Sequence, residues 1–174
     1  MNCTQKEDLQ MNGSQSLTKV TLLNVHQKKI LMQEALDLAH GAFLMGEVPV
    51  GAILVSNGAV VGRGFNQTLS RSSVLAHAEL IAIEDASKNL GNHRLVDTIL
   101  FSTIEPCHMC AKAIIEARIS HIIFGAREPK SGSIISVDNF LESTFHNHSV
   151  SFEEGILKDK CMEIMQRFFR ARRH

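Results

Sequence analysis

Apolar residues fall along the chain at two spacings, and these set out its elements. From Ile30 onward, Leu31, Ala35, Leu38, Ala42 and Met45 recur on one face at helical spacing, and Gly46 stands where a helix C-terminus favours glycine. Two short apolar runs follow, Ala52-Ile53-Leu54-Val55 and Ala59-Val60-Val61, with Ser56-Asn57-Gly58 between them. Asn and Gly both tolerate positive φ, so this predicts an antiparallel hairpin whose second strand runs out through Gly62, Gly64 and Phe65 to Asn66. After a polar loop, Gln67 to Ser73, a helix opens at His77, runs through Leu80, Ile83 and Leu90, and stops near Gly91. Ile99-Leu100-Phe101 reads as a buried strand ending at Glu105-Pro106. A helix opened by Cys107 and Cys110 continues to Ala117, and Ile119 to Phe124 is a further buried strand. Strand, crossover helix and strand imply a parallel pair, so the sheet mixes an antiparallel hairpin with a parallel part. Beyond it lie a loop from Gly125 to Ser136, a short helical piece over Val137 to Leu141, and a strand from His148 to Phe152. The last helix carries Leu157, Cys161, Ile164 and Phe168 on one stripe and Lys160, Glu163, Arg167, Arg170 and His174 on the opposite one.

Composition adds a boundary and a compartment. Residues 1–24 are polar without a sustained period and mark a loosely ordered extension ahead of one domain over residues 25–174. With 174 residues, 44% hydrophobic and 21% charged, the chain is long enough to bury one substantial core. No apolar run is long enough to span a bilayer, and the first residues lack the charged, apolar and small-residue succession of a secretory signal. A cytoplasmic protein with no membrane partner is therefore expected. Lys plus Arg equals Asp plus Glu at 18 each, so only the local distribution informs: Lys158, Lys160, Arg167, Arg170, Arg172 and Arg173 face only Asp159 and Glu163. Such an end suits an anionic partner, and equally the ordinary placement of cations at a helix C-terminus.

The chemistry gathers in two short pieces, Ala76-His77-Ala78-Glu79 and Pro106-Cys107-His108-Met109-Cys110. A His nitrogen and Cys thiolates are zinc ligands, and a catalytic zinc keeps three protein ligands so that water can take the fourth position. His77, Cys107 and Cys110 supply three. Cys107 and Cys110 share the first turn of a helix, so their sulfurs point from one end, and the helix dipole favours their thiolate forms. Glu79, close by without being a ligand, is the carboxylate that hydrolysis needs to accept and return the proton of water. Alone, His77 reads as a structural histidine and Cys-x-x-Cys as a redox pair or a structural zinc clip. Their joint order, with Glu two after His and Pro before the first Cys, favours a catalytic zinc, one per subunit. His108 projects to another face as a packing or supporting residue. Cys3 belongs to the tail and Cys161 to a buried helix face, while His26, His40, His93, His121 and His146 have no motif around them. Phe168 fits the apolar stripe, and Phe169 beside it could reach a substrate base.

The joined motifs resemble the signature of the zinc-dependent cytidine and nucleotide deaminases, His-x-Glu with Pro-Cys-x-x-Cys. More narrowly, Gly46-Glu47-Val48-Pro49-Val50-Gly51-Ala52, Asn66, Phe124-Gly125-Ala126, Lys130 with Gly132, Asn147-His148 and Phe168-Phe169-Arg170-Ala171-Arg172-Arg173 are similar to bacterial tRNA-specific adenosine deaminases. The resemblance runs from about Ile30 to Arg173. It implies a three-layer αβα cytidine-deaminase-like fold with a mixed five-stranded central sheet, a homodimer, and deamination of a wobble adenosine to inosine in a tRNA anticodon stem-loop. It further implies that Glu79 passes the proton and that Asn66, Asn147 and the backbone around Val48 and Ala78 hold base and ribose. Glu128, Lys130, Phe169 and Arg170 would add substrate contacts, with Lys130 on the anticodon loop. The chain departs from the family pattern at Ser73-Val74-Leu75, His108 and Glu128, none of them a zinc ligand. Two other readings share the core motif: a deaminase of free nucleobases such as guanine or cytosine, and a non-catalytic zinc-stabilised RNA-binding subunit, which has no need of Glu79.

Overall fold

In the computed structural model, which describes residues 23–172, the first helix, α1 (Val25–Leu44), starts well ahead of Ile30. A capping box sets that start: Gln27 N–H donates to Asn24 Oδ1 and Asn24 N–H donates to Gln27 Oε1, both at 2.9 Å. Met32, Ala35, Leu36, Ala39 and Ala42 form its buried face, whereas Met45, expected on that face, lies exposed past the helix end. Gly46 follows in the left-handed region at φ 76, as a helix stop requires. Arg173, His174 and residues 1–22 of the extension, Cys3 among them, lie outside the described residues.

The hairpin forms as its Asn-Gly predicts. Strands β1 (Gly51–Ser56) and β2 (Ala59–Phe65) are antiparallel, and Asn57 and Gly58 both take positive φ, 50 and 79. There follow α2 (Ala78–Leu90), β3 (Thr98–Ile104), α3 (His108–Glu116), β4 (His121–Ala126), a 3-10 turn (Phe140–Glu142), β5 (Ser151–Glu154) and α4 (Lys158–Ala171). The five strands lie in the order β2-β1-β3-β4-β5, with β1 antiparallel to both neighbours and β3, β4 and β5 mutually parallel. The mixed five-stranded sheet is thus as the sequence implied. Two weaker elements are displaced. The helical piece shrinks to the single turn at Phe140, because Val137 and Phe140 N–H groups bond back to Gly132 and Ser133 carbonyls. The last strand begins at Ser151 instead of His148, whose ring nitrogen Nε2 instead pairs with the Ile119 carbonyl at 2.8 Å.

Alternation along the buried strands divides the core. Leu54, Leu100, Ile122 and Phe124 face α2 and α3, while Ile53, Val55, Phe101 and Ile123 face α1 and α4. This gives three layers, αβα. Strand β2 brings α2 unusually close through two glycines: a Cβ at Gly62 would stand 2.3 Å from the Ala82 carbonyl oxygen, and one at Gly64 2.1 Å from that of Ala78. Only hydrogen fits there, so the start of α2 is fixed directly against the sheet.

Candidate active site

Two helix N-termini converge here. His77 caps α2 and Cys107 caps α3, both in extended backbone, and neither side chain makes a capping hydrogen bond to the backbone of its own helix. The glycines of β2 hold the first helix start, and buried Pro106 ends β3 and opens the second. The freed side chains meet: His77 Nδ1 lies 3.7 Å from Cys107 Sγ and 3.5 Å from Cys110 Sγ, and the two sulfurs are 3.7 Å apart. That separation is far beyond the ~2.05 Å of a disulfide. Among the described residues, this is the His, Cys, Asp and Glu group close-set enough to hold a metal ion.

Charge favours a cation at the centre of the triangle. The Cys107 thiol is pulled down to about 3, first by the hydrogen bond from Cys110 and then by His77. Donating that same bond, in a buried position beside Glu79, pushes Cys110 up. His77 is raised by its bond to Cys107. The pair thus favours one thiolate first, and positive charge between the sulfurs would favour ionising the second.

Glu79 sits in the first turn of α2, only 3% exposed. Its Oε1 accepts the Ser102 hydroxyl at 3.3 Å, and its Oε2 lies 3.6 Å from Cys110 Sγ, so the carboxylate edges the donor triangle without joining it. Burial pushes its carboxyl above the ordinary carboxylate value, against the opposing pull of its own backbone N–H and of His77. A carboxylate so raised takes a proton from water more readily than an exposed one.

The remaining candidate residues divide into groups. Asn66, 5% exposed, donates from Nδ2 to Glu47 Oε2 at 3.2 Å and to Thr68 Oγ1 at 3.3 Å, which fixes its amide. Val48 is half-buried beside Glu47, and Ala78 is buried at the start of α2. Glu128, Lys130, Phe169 and Arg170 come together in the wall of one cleft of about 690 Å³, with Ile104 and Met165. This cleft lies at the paired C-terminal ends of β3 and β4, on the α4 side. Asn147 is not brought to the centre. It is exposed, and its carbonyl accepts from Arg118 at 2.8 Å, past the far end of α3 from Cys107. Nine residues of helix put that end about 13 Å away. His108 turns outward to Asp138, 2.8 Å away, with its ring edge-on to Phe140.

Two supporting residues escape a reading for chemistry. Glu47, fully buried, accepts from the Ser70 N–H at 2.7 Å, the Leu69 N–H at 3.2 Å and the Thr68 hydroxyl at 3.4 Å. Glu105, 2% exposed, accepts from Glu128, Ile134, Ile135 and Ser136. Their one signal in sequence is a lone carboxylate between apolar residues, Glu47-Val48-Pro49 and Ile104-Glu105-Pro106.

Comparison with known proteins fits this geometry. A family model described as MafB19-like deaminase matches residues 26–173. The tRNA-specific adenosine deaminase of Streptococcus pyogenes serotype M1 is 42% identical over 150 residues, 86% of this chain and 88% of the relative. The chain belongs to the tRNA-specific adenosine deaminase family. A structure from biochemical and structural studies of A-to-I editing by tRNA:A34 deaminases at the wobble position of transfer RNA agrees, with TM-score 0.76 and 38% identity over 78% of this chain and 98% of its own. The fold itself extends beyond the tRNA-specific adenosine deaminases. Guanine deaminase from Nitrosomonas europaea matches at TM-score 0.67 and 21% identity, over 80% of this chain and 83% of its own. No helix among the described residues is long and apolar enough to cross a membrane.

Proposed function

We propose that this protein hydrolyses the wobble adenosine of a tRNA anticodon stem-loop to inosine, with one zinc ion per subunit. The observation that carries the reading is the placement of the Glu79 carboxylate at the edge of the His77, Cys107 and Cys110 triangle, in a chain of this family. Zinc suits the triangle. Bonds of ~2.3 Å to sulfur and ~2.05 Å to nitrogen at tetrahedral angles give edges of about 3.8 Å and about 3.6 Å, beside the 3.7 Å between the sulfurs and the 3.7 and 3.5 Å from sulfur to nitrogen. When bound, zinc would supply Lewis acidity that favours ionised water as the nucleophile near neutral pH.

The chain's own groups do the rest. Glu79 takes a proton from water, delivers it to the adenine ring nitrogen, and passes a proton on to the departing amine. The C6–O bond forms, the C6–N bond breaks, and inosine and ammonia leave. Asn66, its amide held by Glu47, and the backbone at Val48 and Ala78 grip base and ribose. Lys130 and Arg170 face the phosphates and Phe169 offers a ring for a splayed base, with Glu128 beside them. Asn147 would serve the same substrate away from the centre.

Purified protein should convert a stem-loop bearing a wobble adenosine to the inosine product, and Glu79→Ala should abolish this while retaining zinc. Turnover of free guanine or cytosine with none on the RNA would replace this reading with a nucleobase deaminase, and RNA binding without turnover of either would leave a binding subunit. We also propose a cytoplasmic homodimer. Exposed Leu69, Val74 and Leu75, close in sequence to His77, offer apolar surface for a second copy. Light scattering should give twice the chain mass, and the mass of one chain would refute the dimer.

A further inference from the structure

We infer that Glu105 is a positioning residue that ties the substrate-facing loop to the metal-bearing turn and so sets the affinity for RNA. The inference rests on the RNA reading of the 128–130 segment given above. Glu105 stands at the end of β3, directly before Pro106-Cys107, and its carboxylate is closed off from solvent. Oε1 accepts three successive backbone N–H groups, from Ile134 at 3.0 Å, Ile135 at 2.7 Å and Ser136 at 2.9 Å. Oε2 accepts the Glu128 N–H at 3.1 Å and the Ser136 hydroxyl. One carboxylate thus gathers both ends of the segment from Glu128 to Ser136. Among the described residues no lysine or arginine forms a salt bridge with it, and the donors are main-chain groups and a hydroxyl. The group is therefore built for holding backbone, and not for an ion pair.

The rest of the junction is built around that carboxylate. A Cβ on Gly132 would come within 2.4 Å of the Glu105 carboxylate, so the loop can close over it only with glycine there. Ser133 N–H and Oγ both donate to the Pro106 carbonyl, at 2.9 and 3.1 Å, and Gly132 forms an isolated β-bridge with Cys107. Glu105 N–H itself donates to Ala126 at the end of β4. The loop is in this way fastened to the two residues that follow Glu105, the second of them bearing a sulfur of the donor triangle. Its outer part carries Glu128 and Lys130 into the cleft shared with Phe169 and Arg170. Glu105 belongs neither to the donor triangle nor to the lining of the cleft and reaches the cleft only through the Glu128 N–H, so its effect on substrate runs through the loop.

Glu105→Gln keeps the shape and one accepting oxygen, but sets an NH2 group against a ring of donors. With the wobble-adenosine stem-loop, KM should rise about tenfold with kcat within about twofold of the parent, the pattern of lost binding common to ground and transition states. Bound zinc should remain at one per chain. Lys130→Ala should raise KM in the parent and by clearly less in the Glu105→Gln background, because a loosened loop has already lost that contact. Ser136→Ala removes a single donor from a half-buried site and should act in the same direction, about threefold, which keeps the test open should Glu105→Gln fail to fold. An unchanged KM, a fall in kcat alone, lost zinc, or an equal cost of Lys130→Ala in both backgrounds would each overturn the role. A parent protein that makes no inosine would instead refute the RNA reading itself.

Discussion

At the scale of single residues, the buried carboxylates of Glu79 and Glu47 do different work because their surroundings differ. Glu79 meets one hydroxyl, a sulfur and its own helix start, so burial prevails and its proton is held more tightly. Glu47 is buried as well, and burial alone would raise it. The Ser70 and Leu69 backbone N–H groups, with the Ser70 and Thr68 side chains, outweigh that and hold it below its ordinary 4.5. Since the folded carboxyl is the more acidic, its stabilisation is present above the unfolded value and is lost as pH falls through the lower folded one. Glu47→Gln should therefore be much less stable than the parent in urea at pH 7, and the gap should shrink steadily as the pH drops below about 4. A gap constant with pH would mean that charge plays no part. His77, Glu79, Cys107 and Cys110 were legible in sequence because each motif is local and the ligand spacing is a property of one helix turn. Glu47 and Glu105 were not, since their partners lie 19 to 31 positions away and only the fold brings them close.

At the scale of elements, legibility followed the apolar period. The hairpin, the two motif-bearing helices and the buried strands carry strong spacing and fall where it puts them. The first turns of α1 are polar and exposed, and only the Asn24 and Gln27 capping pair marked their start. The register of β5 depends on its pairing with β4, His121 with Ser151, which no local pattern encodes. Nor does the spacing reveal why β2 carries glycine at 62 and 64, positions that weaken an isolated strand. The structure answers with α2 lying on them, and that contact decides where His77 and Glu79 stand. Gly64→Ala places a methyl 2.1 Å from the Ala78 carbonyl oxygen and 2.6 Å from the Ala82 nitrogen. Backbone cannot rotate away as a side chain can, so the helix must shift, at a cost of about 3 kcal/mol. The melting temperature should fall, and, on the proposed role of Glu79, kcat should fall further than stability explains, because the shift moves that carboxylate. Full kcat in a folded Gly64→Ala protein would show that the helix start tolerates displacement.

At the scale of the whole molecule, the His77, Cys107 and Cys110 triangle brings together the starts of two helices that share one core, α2 lying on the glycines of β2 and α3 crossing between β3 and β4. A bound ion would add a cross-link between sequence-distant elements and, by preferring the folded chain, would stabilise it by mass action. With zinc about a thousandfold above its Kd, that amounts to roughly 4 kcal/mol, or on the order of 10 °C in a chain of this size. Chelation should accordingly lower the melting temperature and abolish activity together, and added zinc should restore both. Cys110→Ala should show the lower melting temperature without chelator and no response to zinc. Cobalt in place of zinc should give the intense visible absorption of a tetrahedral site with thiolate ligands, the geometry that the sulfur and nitrogen spacings fit. Loss of activity with an unchanged melting curve would mean that the sheet, and not the ion, holds the two helix starts together. The ion's role would then be purely chemical.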